Sequence, residues 1–341
     1  MCAALGIQYT WIFFGMIALN ARDVEALLSI GRCIALMRTA MTLEAENMAI
    51  QPVRTRMEMP GSASANLLTM MPGLIDRPLS LGIKVVSVFP GNYGTAHGSH
   101  QGAILMFDAV TGAPVGLVDA RAVTALRTAA ATAVATDVLA RPDAASLSVL
   151  GYGDQAKSHV EALVHVRDFA SIQVWGRDPA RLSRFTDDLS RELERCVEPA
   201  ASAREACEAD VVTATTAAVD PVIEGEHLQA GQHLNLVGSS IPSTAEVDGI
   251  GVARARFFGD SADGVRELGG EYRRACRDGL IDESHLLGTV GEVMLGRIKG
   301  RTSAGDVTMF KSVGMAAEDL VASTFLLDAA RRQGVGRTID W

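Results

Sequence analysis

The chain has 341 residues, 48% apolar and 21% charged, the balance of a globular protein long enough for two domains. Its formal net charge of −9 argues against nucleic-acid binding, which needs a basic footprint, though local arginines and lysines can still hold small anions. Five cysteines (Cys2, Cys33, Cys196, Cys207 and Cys276) form no C-x-x-C pair, so neither a disulfide framework nor a zinc site is indicated, and a reducing cytoplasm fits best.

Near the N-terminus the uncharged run 7–19 is short for a spanning helix and lacks the basic flank of a secretory signal, so no membrane segment is expected. Met16 opens an ordinary strand-and-helix pattern, which makes it the expected natural start and residues 1–15 an extension. Val24, Leu27, Leu28, Ile30, Ile34, Leu36, Met37 and Met41 recur at helical spacing and predict one or two helices over 21–48. β-rich runs follow at 53–59, 67–71, 82–89, 103–108 and 114–119, with Asp108-Ala-Val-Thr-Gly112 as a hairpin connection. His97 and His100 lie in a glycine-rich stretch with no evident third ligand, so a solvated loop is expected there rather than a metal pair.

The Ala- and Thr-rich stretch 120–140 predicts a tightly packed buried helix that links two domains. Strands near 147–150, 172–175, 210–214, 234–237 and 255–258 then alternate with helices, which implies a parallel, doubly wound sheet with right-handed crossovers. A last helix over 316–333 is expected to return to the first domain. The predicted architecture is α/β: a Rossmann-type sheet over 126–314 and a smaller α+β substrate domain from 16–125 and 315–341.

The apolar strand 147–150 runs into Gly151-x-Gly153-x-x-Ala156, a dinucleotide-binding turn in its required context of strand, helix and second strand. Gly151 can make the tight turn, Gly153 lets backbone approach a pyrophosphate, and Ala156 permits close helix packing; Asp154 and Gln155 complete the turn. The helix N-terminus supplies unpaired N–H groups and a positive dipole end. The second strand ends Trp175-Gly176-Arg177, with Arg181 one turn on, so arginine stands where a carboxylate would grip the ribose of NAD. NADP(H) is therefore favoured, with NAD(H) possible. Asp178 leaves two readings open: a one-residue shift would put its carboxylate at the ribose, or it caps the following helix.

Outside this turn, Gln51-Pro-Val-Arg54, Met71-Pro72, Lys84-Val-Val-Ser-Val, Thr124-Ala-Leu-Arg127-Thr-Ala-Ala130, Val212-Thr-Ala-Thr215 and Phe310-Lys-Ser-Val-Gly314 complete an ordered set of motifs. In this set the chain resembles the ornithine cyclodeaminase and mu-crystallin family, from Met16 almost to its end. The resemblance implies a homodimer whose first domain pairs strands across the interface and holds substrate over the nicotinamide. It also implies that Arg54, Lys84 and Arg127 line the substrate site, with Lys84 and Arg127 catalytic and Ser240, Ser312 and Gly314 nearby. Thr213, Ala214, Thr215, Val237 and Lys311 would face the cofactor. Read on their own, the three cations fit better as surface side chains with their heads in water. A guanidinium fork and an ammonium are nevertheless suited to the carboxylate of an α-imino or α-amino acid.

One departure bears on the reaction. Cyclodeaminases carry an aspartate where this chain has Ser240, and an unaided serine is no general base near neutral pH. The expectation is therefore reduction of a cyclic α-imino acid, Δ1-pyrroline-2-carboxylate or Δ1-piperideine-2-carboxylate, to proline or pipecolate. The rivals are an alanine-type dehydrogenase, an ornithine or lysine cyclodeaminase, and a non-catalytic protein that holds NADPH or a small ligand.

Overall fold

The structure, a computed structural model, describes residues 15–60, 66–92, 95 and 97–340; the expected extension lies outside them apart from Gly15. Two eight-stranded sheets organise the chain. In the first, Arg337–Ile339, Met16–Leu19, Pro114–Asp119, His100–Phe107, Ser80–Val88, Leu67–Ile75 and Ala49–Ile50 lie side by side, and Thr55–Glu58 also pairs with Leu67–Ile75. All these pairings are antiparallel except that between Met16–Leu19 and Pro114–Asp119. Burial alternates residue by residue along Leu67–Ile75, the signature of a strand with one face on a core. The hairpin predicted at 108–112 forms: Gly112 takes φ +75° and the Asp108 carboxylate accepts from the Val110 and Thr111 amides.

The second sheet is wholly parallel, in the order Glu198–Pro199, Ser171–Trp175, Ser146–Leu150, Val211–Ala214, His233–Leu236, Thr308–Lys311, Arg256–Gly259 and Leu286–Thr289. Its central strands are buried on both faces, and their polar residues Ser148, Thr213, His233 and Asn235 are buried with the rest. The chain winds outward from Ser146–Leu150 to Glu198–Pro199, then reverses into Val211–Ala214. The strand-order switch, where open α/β sheets bind ligands, thus falls beside Leu150.

The helix Ala120–Leu139 passes between the two halves, and the boundary expected at 125/126 falls inside it. Its small side chains admit neighbours on all sides: residues 129–131 and 133–135 are fully buried, and Thr132 and Thr136 bond His159 and Asn235 of the second half. This helix is long and apolar enough to cross a membrane, yet most of it is buried inside the protein. The terminal helix Ala316–Gln333 returns to the first sheet, burying Leu320, Leu326 and Leu327. Thr308–Lys311, absent from the predicted strands, is a central strand; its Lys311 does not look like core until the partners of its ammonium are seen.

Candidate active site

At the end of Ser146–Leu150, Gly151 adopts φ +121°, and a Cβ there would stand 2.7 Å from Thr215 Oγ1. Thr215 donates from both its amide (2.8 Å) and its hydroxyl (3.1 Å) to the Leu150 carbonyl, locking the turn against the neighbouring strand. Gly153 begins the helix Asp154–Leu163 with no side-chain cap, and a Cβ on it would meet nothing within 4 Å. Uncapped amides that face open space suit a pyrophosphate, and Ala156 packs fully buried beneath them. Gln155 Oε1 is buried without a protein partner, while the Asp154 carboxylate pairs with Arg121 at 2.5 Å.

At the second strand's end, Gly176 leaves space for the Tyr152 ring, which a Cβ would penetrate, and the Arg181 guanidinium lies 5.1 Å from that ring's centre. Asp178 accepts from the Ala180 and Arg181 amides and caps Pro179–Leu193, so of the two readings of this carboxylate the cap is the one observed. Arg177 is exposed. Two residues expected at the nucleotide turn their side chains inward. The Thr213 hydroxyl is fully buried and accepts from Asn235 Nδ2, and the fully buried Lys311 ammonium is held by Glu271 at 3.1 Å and by the Ser239 carbonyl. Both side chains are taken up by the interior behind the site. Ala214 is buried too, and its carbonyl accepts from the Val237 amide at 2.9 Å, leaving Val237 half-buried at the sheet edge. Glu246, to which the sequence reading assigned no role, gathers the Thr216, Gly238 and Ser239 amides and so shapes the loop leading to Ser240.

The residues expected on the substrate side converge from distant parts of the chain. Lys84, on Ser80–Val88, reaches Asp319 at 2.6 Å. Arg127, in Ala120–Leu139, bonds Asp319 through Nε at 3.0 Å and Glu318 through Nη1 at 2.7 Å. All four side chains are nearly or fully buried. Arg54 donates to the Gly314 carbonyl at 3.2 Å. Gly314 takes φ +80°, and a Cβ there would approach Arg127 Nη1 to 2.8 Å, so the chain can pass the guanidinium only as glycine. Asp260 fixes that segment by accepting from Ser312 Oγ (3.2 Å) and from the Val313 and Gly314 amides. The Ser312 hydroxyl is therefore turned to Asp260.

The electrostatics follow from crowding charges in a dry place. Burial, reinforced by Arg127, lowers Lys84 from 10.5 to about 8 although Asp319 resists. Burial and the positive charges of Arg127 and Arg56 bring Arg54 down to about 10. Burial raises Glu318 to about 7 against the pull of Arg127. Asp319 stays below the usual carboxylate range because Arg127 and Lys84 outweigh the burial that opposes them. A cavity of about 400 Å³ is lined by Gln51, Arg54, Met71, Val313 and Gly314 among others, which places Arg54 on its wall.

Sequence reasoning missed Glu318, Asp319 and Asp260; acidic residues in a helix's first turn read as dipole partners, and here Glu318 and Asp319 also pair with Arg127, about 190 residues away. It also missed Arg56, whose Nη2 donates to the Ser240 carbonyl. Gly151, Thr215, Val237–Ser240 and Ser312–Gly314 all follow the ends of neighbouring parallel strands. The cation cluster therefore meets the nucleotide turn along one edge of the sheet.

This arrangement has counterparts in known proteins. The Δ1-pyrroline-2-carboxylate reductase of Bacillus cereus is 31% identical over 328 residues, covering 96% of this chain and 100% of the relative. A structure of Thermococcus litoralis Δ1-pyrroline-2-carboxylate reductase in complex with NADH and L-proline superposes with a TM-score of 0.91 at 32% identity, covering 95% of this chain and 100% of that one. An archaeal alanine dehydrogenase dimer with bound NAD gives a TM-score of 0.90 at 26% identity over 96% of this chain and 100% of that one. With residues 16–334 also matching the family as a whole, the chain belongs to the ornithine cyclodeaminase/mu-crystallin family.

Proposed function

We propose that this protein is an NAD(P)H-dependent reductase of a cyclic α-imino acid, converting Δ1-pyrroline-2-carboxylate or Δ1-piperideine-2-carboxylate to proline or pipecolate. The observation that carries this reading is the buried Lys84–Asp319–Arg127 array with Arg54 in the adjoining cavity, set at the sheet edge that bears the nucleotide turn. The relatives that act on Δ1-pyrroline-2-carboxylate, one of them solved with NADH and proline, support it. Gly151, Gly153 and the uncapped amides of Asp154–Leu163 would hold the dinucleotide, which when bound supplies hydride to the C=N carbon.

Arg54 takes the substrate carboxylate, since it lines the cavity and, among the described residues, donates to a single backbone carbonyl. Arg127 is saturated by Glu318 and Asp319 and adds positive potential from behind. Lys84, lowered to about 8, is still charged at neutral pH yet releases its proton readily, and it serves the imine nitrogen as acid while Asp319 orients it. Ser240 places no carboxylate beside the substrate, which favours reduction over ring-closing loss of ammonia. Exposed Arg177, with Asp178 occupied as a cap, supports a preference for NADP(H). A homodimer is supported by the dimeric archaeal relative and by exposed Ile50, Met57 and Met59 in the first half. The free thiols of Cys33, Cys196, Cys207 and Cys276 suit the cytoplasm.

The test is steady-state oxidation of NADPH and NADH with each ketimine, alongside pyruvate plus ammonium and ornithine. Turnover is expected with a ketimine. Turnover confined to pyruvate plus ammonium, or ammonia release from ornithine without net cofactor oxidation, overturns the reading.

A further inference from the structure

The nucleotide turn carries a negative charge of its own. Asp154 is the first residue of the helix whose uncapped amides suit a pyrophosphate, and a carboxylate there is favoured by the helix dipole but repels an incoming phosphate. Its charge is met from the start of the linking helix, where Arg121 Nη2 stands 2.5 Å from Asp154 Oδ2. Asp119 caps that helix by accepting from the Ala122 amide, which fixes the backbone from which Arg121 leaves. The pair stands toward the cleft. Burial and the positive charges of Lys84 and Arg121 hold the His100 imidazole below its usual value while Asp154 opposes them, so the pair lies within electrostatic reach of the same side chain as Lys84. The Arg121 side chain is nevertheless 54% exposed and that of Asp154 69%, so a solute can reach either. An exposed pair of this kind adds little to stability, so holding the fold together does not account for it.

We propose that Arg121 is a ligand for the cofactor's diphosphate: in the free protein it rests on Asp154, and when the dinucleotide docks on the amides of Asp154–Leu163 the guanidinium passes to the diphosphate while Asp154 turns to solvent. This rests on the nucleotide-binding reading and deepens it. No covalent bond is made or broken; one anionic partner replaces another, and two phosphate oxygens fit the guanidinium fork better than the single carboxylate oxygen it now meets. Arg121 would serve NADH and NADPH alike, unlike Arg177, whose proposed contact is with the 2′-phosphate alone.

The experiment titrates NADH and NADPH into wild type, R121Q, R121K and D154N by nicotinamide fluorescence, with unfolding midpoints measured without cofactor to check that each variant is folded. R121Q is expected to raise Kd for both cofactors by about tenfold, and R121K to recover part of the loss. D154N, which frees Arg121 and removes the repulsion, should lower Kd by about threefold. Competition by ADP should follow the same order, since it carries the diphosphate without nicotinamide or 2′-phosphate. The opposite signs separate the proposal from a purely structural clasp, in which loss of either partner weakens binding alike. If R121Q and D154N shift Kd in the same direction, or R121Q leaves it unchanged for both cofactors, the proposal falls while the reductase reading stands. If the wild type binds neither cofactor, both fall.

Discussion

Asp319→Asn isolates the group on which the proposed acid chemistry depends. This carboxylate forms an ion pair with Lys84 at 2.6 Å and accepts from Arg127 at 3.0 Å in a site with almost no solvent exposure. Asparagine keeps an acceptor for Arg127 but removes the charge that holds Lys84 up at about 8. Loss of a close buried counter-charge moves a pKa by about 1–3 units. A fall of two units would leave roughly 3% of Lys84 charged at pH 7.5, against roughly 76% in the wild type, a loss of activity of about 25-fold. The assay is the pH profile of kcat/KM for imine reduction. The wild type should lose activity as pH rises through about 8, where Lys84 gives up its proton, and in the variant this limb should move toward acid pH. Removing one partner of a buried pair should also cost about 3–5 kcal/mol of stability, so the profile is taken at a temperature where both proteins are folded. A folded variant whose alkaline limb stays at the wild-type position would refute Lys84 as the acid.

Two further outcomes follow from other parts of the site. Arg177→Asp should raise KM for NADPH at least tenfold while leaving KM for NADH unchanged or lower; equal losses with both cofactors would remove Arg177 from the 2′-phosphate site. Glu318 is raised from 4.5 to about 7 in the folded protein, so between those pH values the native state binds the extra proton and stability falls as pH rises. Glu318→Gln removes this dependence. In urea unfolding the variant should gain on the wild type from about pH 4.5 to pH 7, and a constant difference across that interval would contradict the assignment.

How far the chain could be read depended on the distance over which each feature is specified. The turn at Gly151, Gly153 and Ala156 was legible because its glycines, strand and helix are neighbours in sequence, and the helix Ala316–Gln333 because its periodicity is unbroken. Arg54, Lys84 and Arg127 were singled out through ordered motifs rather than chemistry, since an isolated cation looks the same in sequence whether it ends on a surface or, as here, in a buried or half-buried cluster. The inward course of the Thr213 and Lys311 side chains was not legible, because strand side chains alternate faces and a residue within a motif can point into the core.

By itself the amino-acid order determined the α/β class, the winding of the second sheet and the nucleotide turn, all set by local periodicity and backbone chemistry. Only the tertiary structure decided which charges neutralise which. Arg127 meets Asp319 across 192 positions because the terminal helix folds back onto the first sheet, and burial there shifts Lys84 and Glu318 toward neutral pH. Coulombic and desolvation energies depend on separation in space and on distance from water, and neither is written in a one-dimensional order.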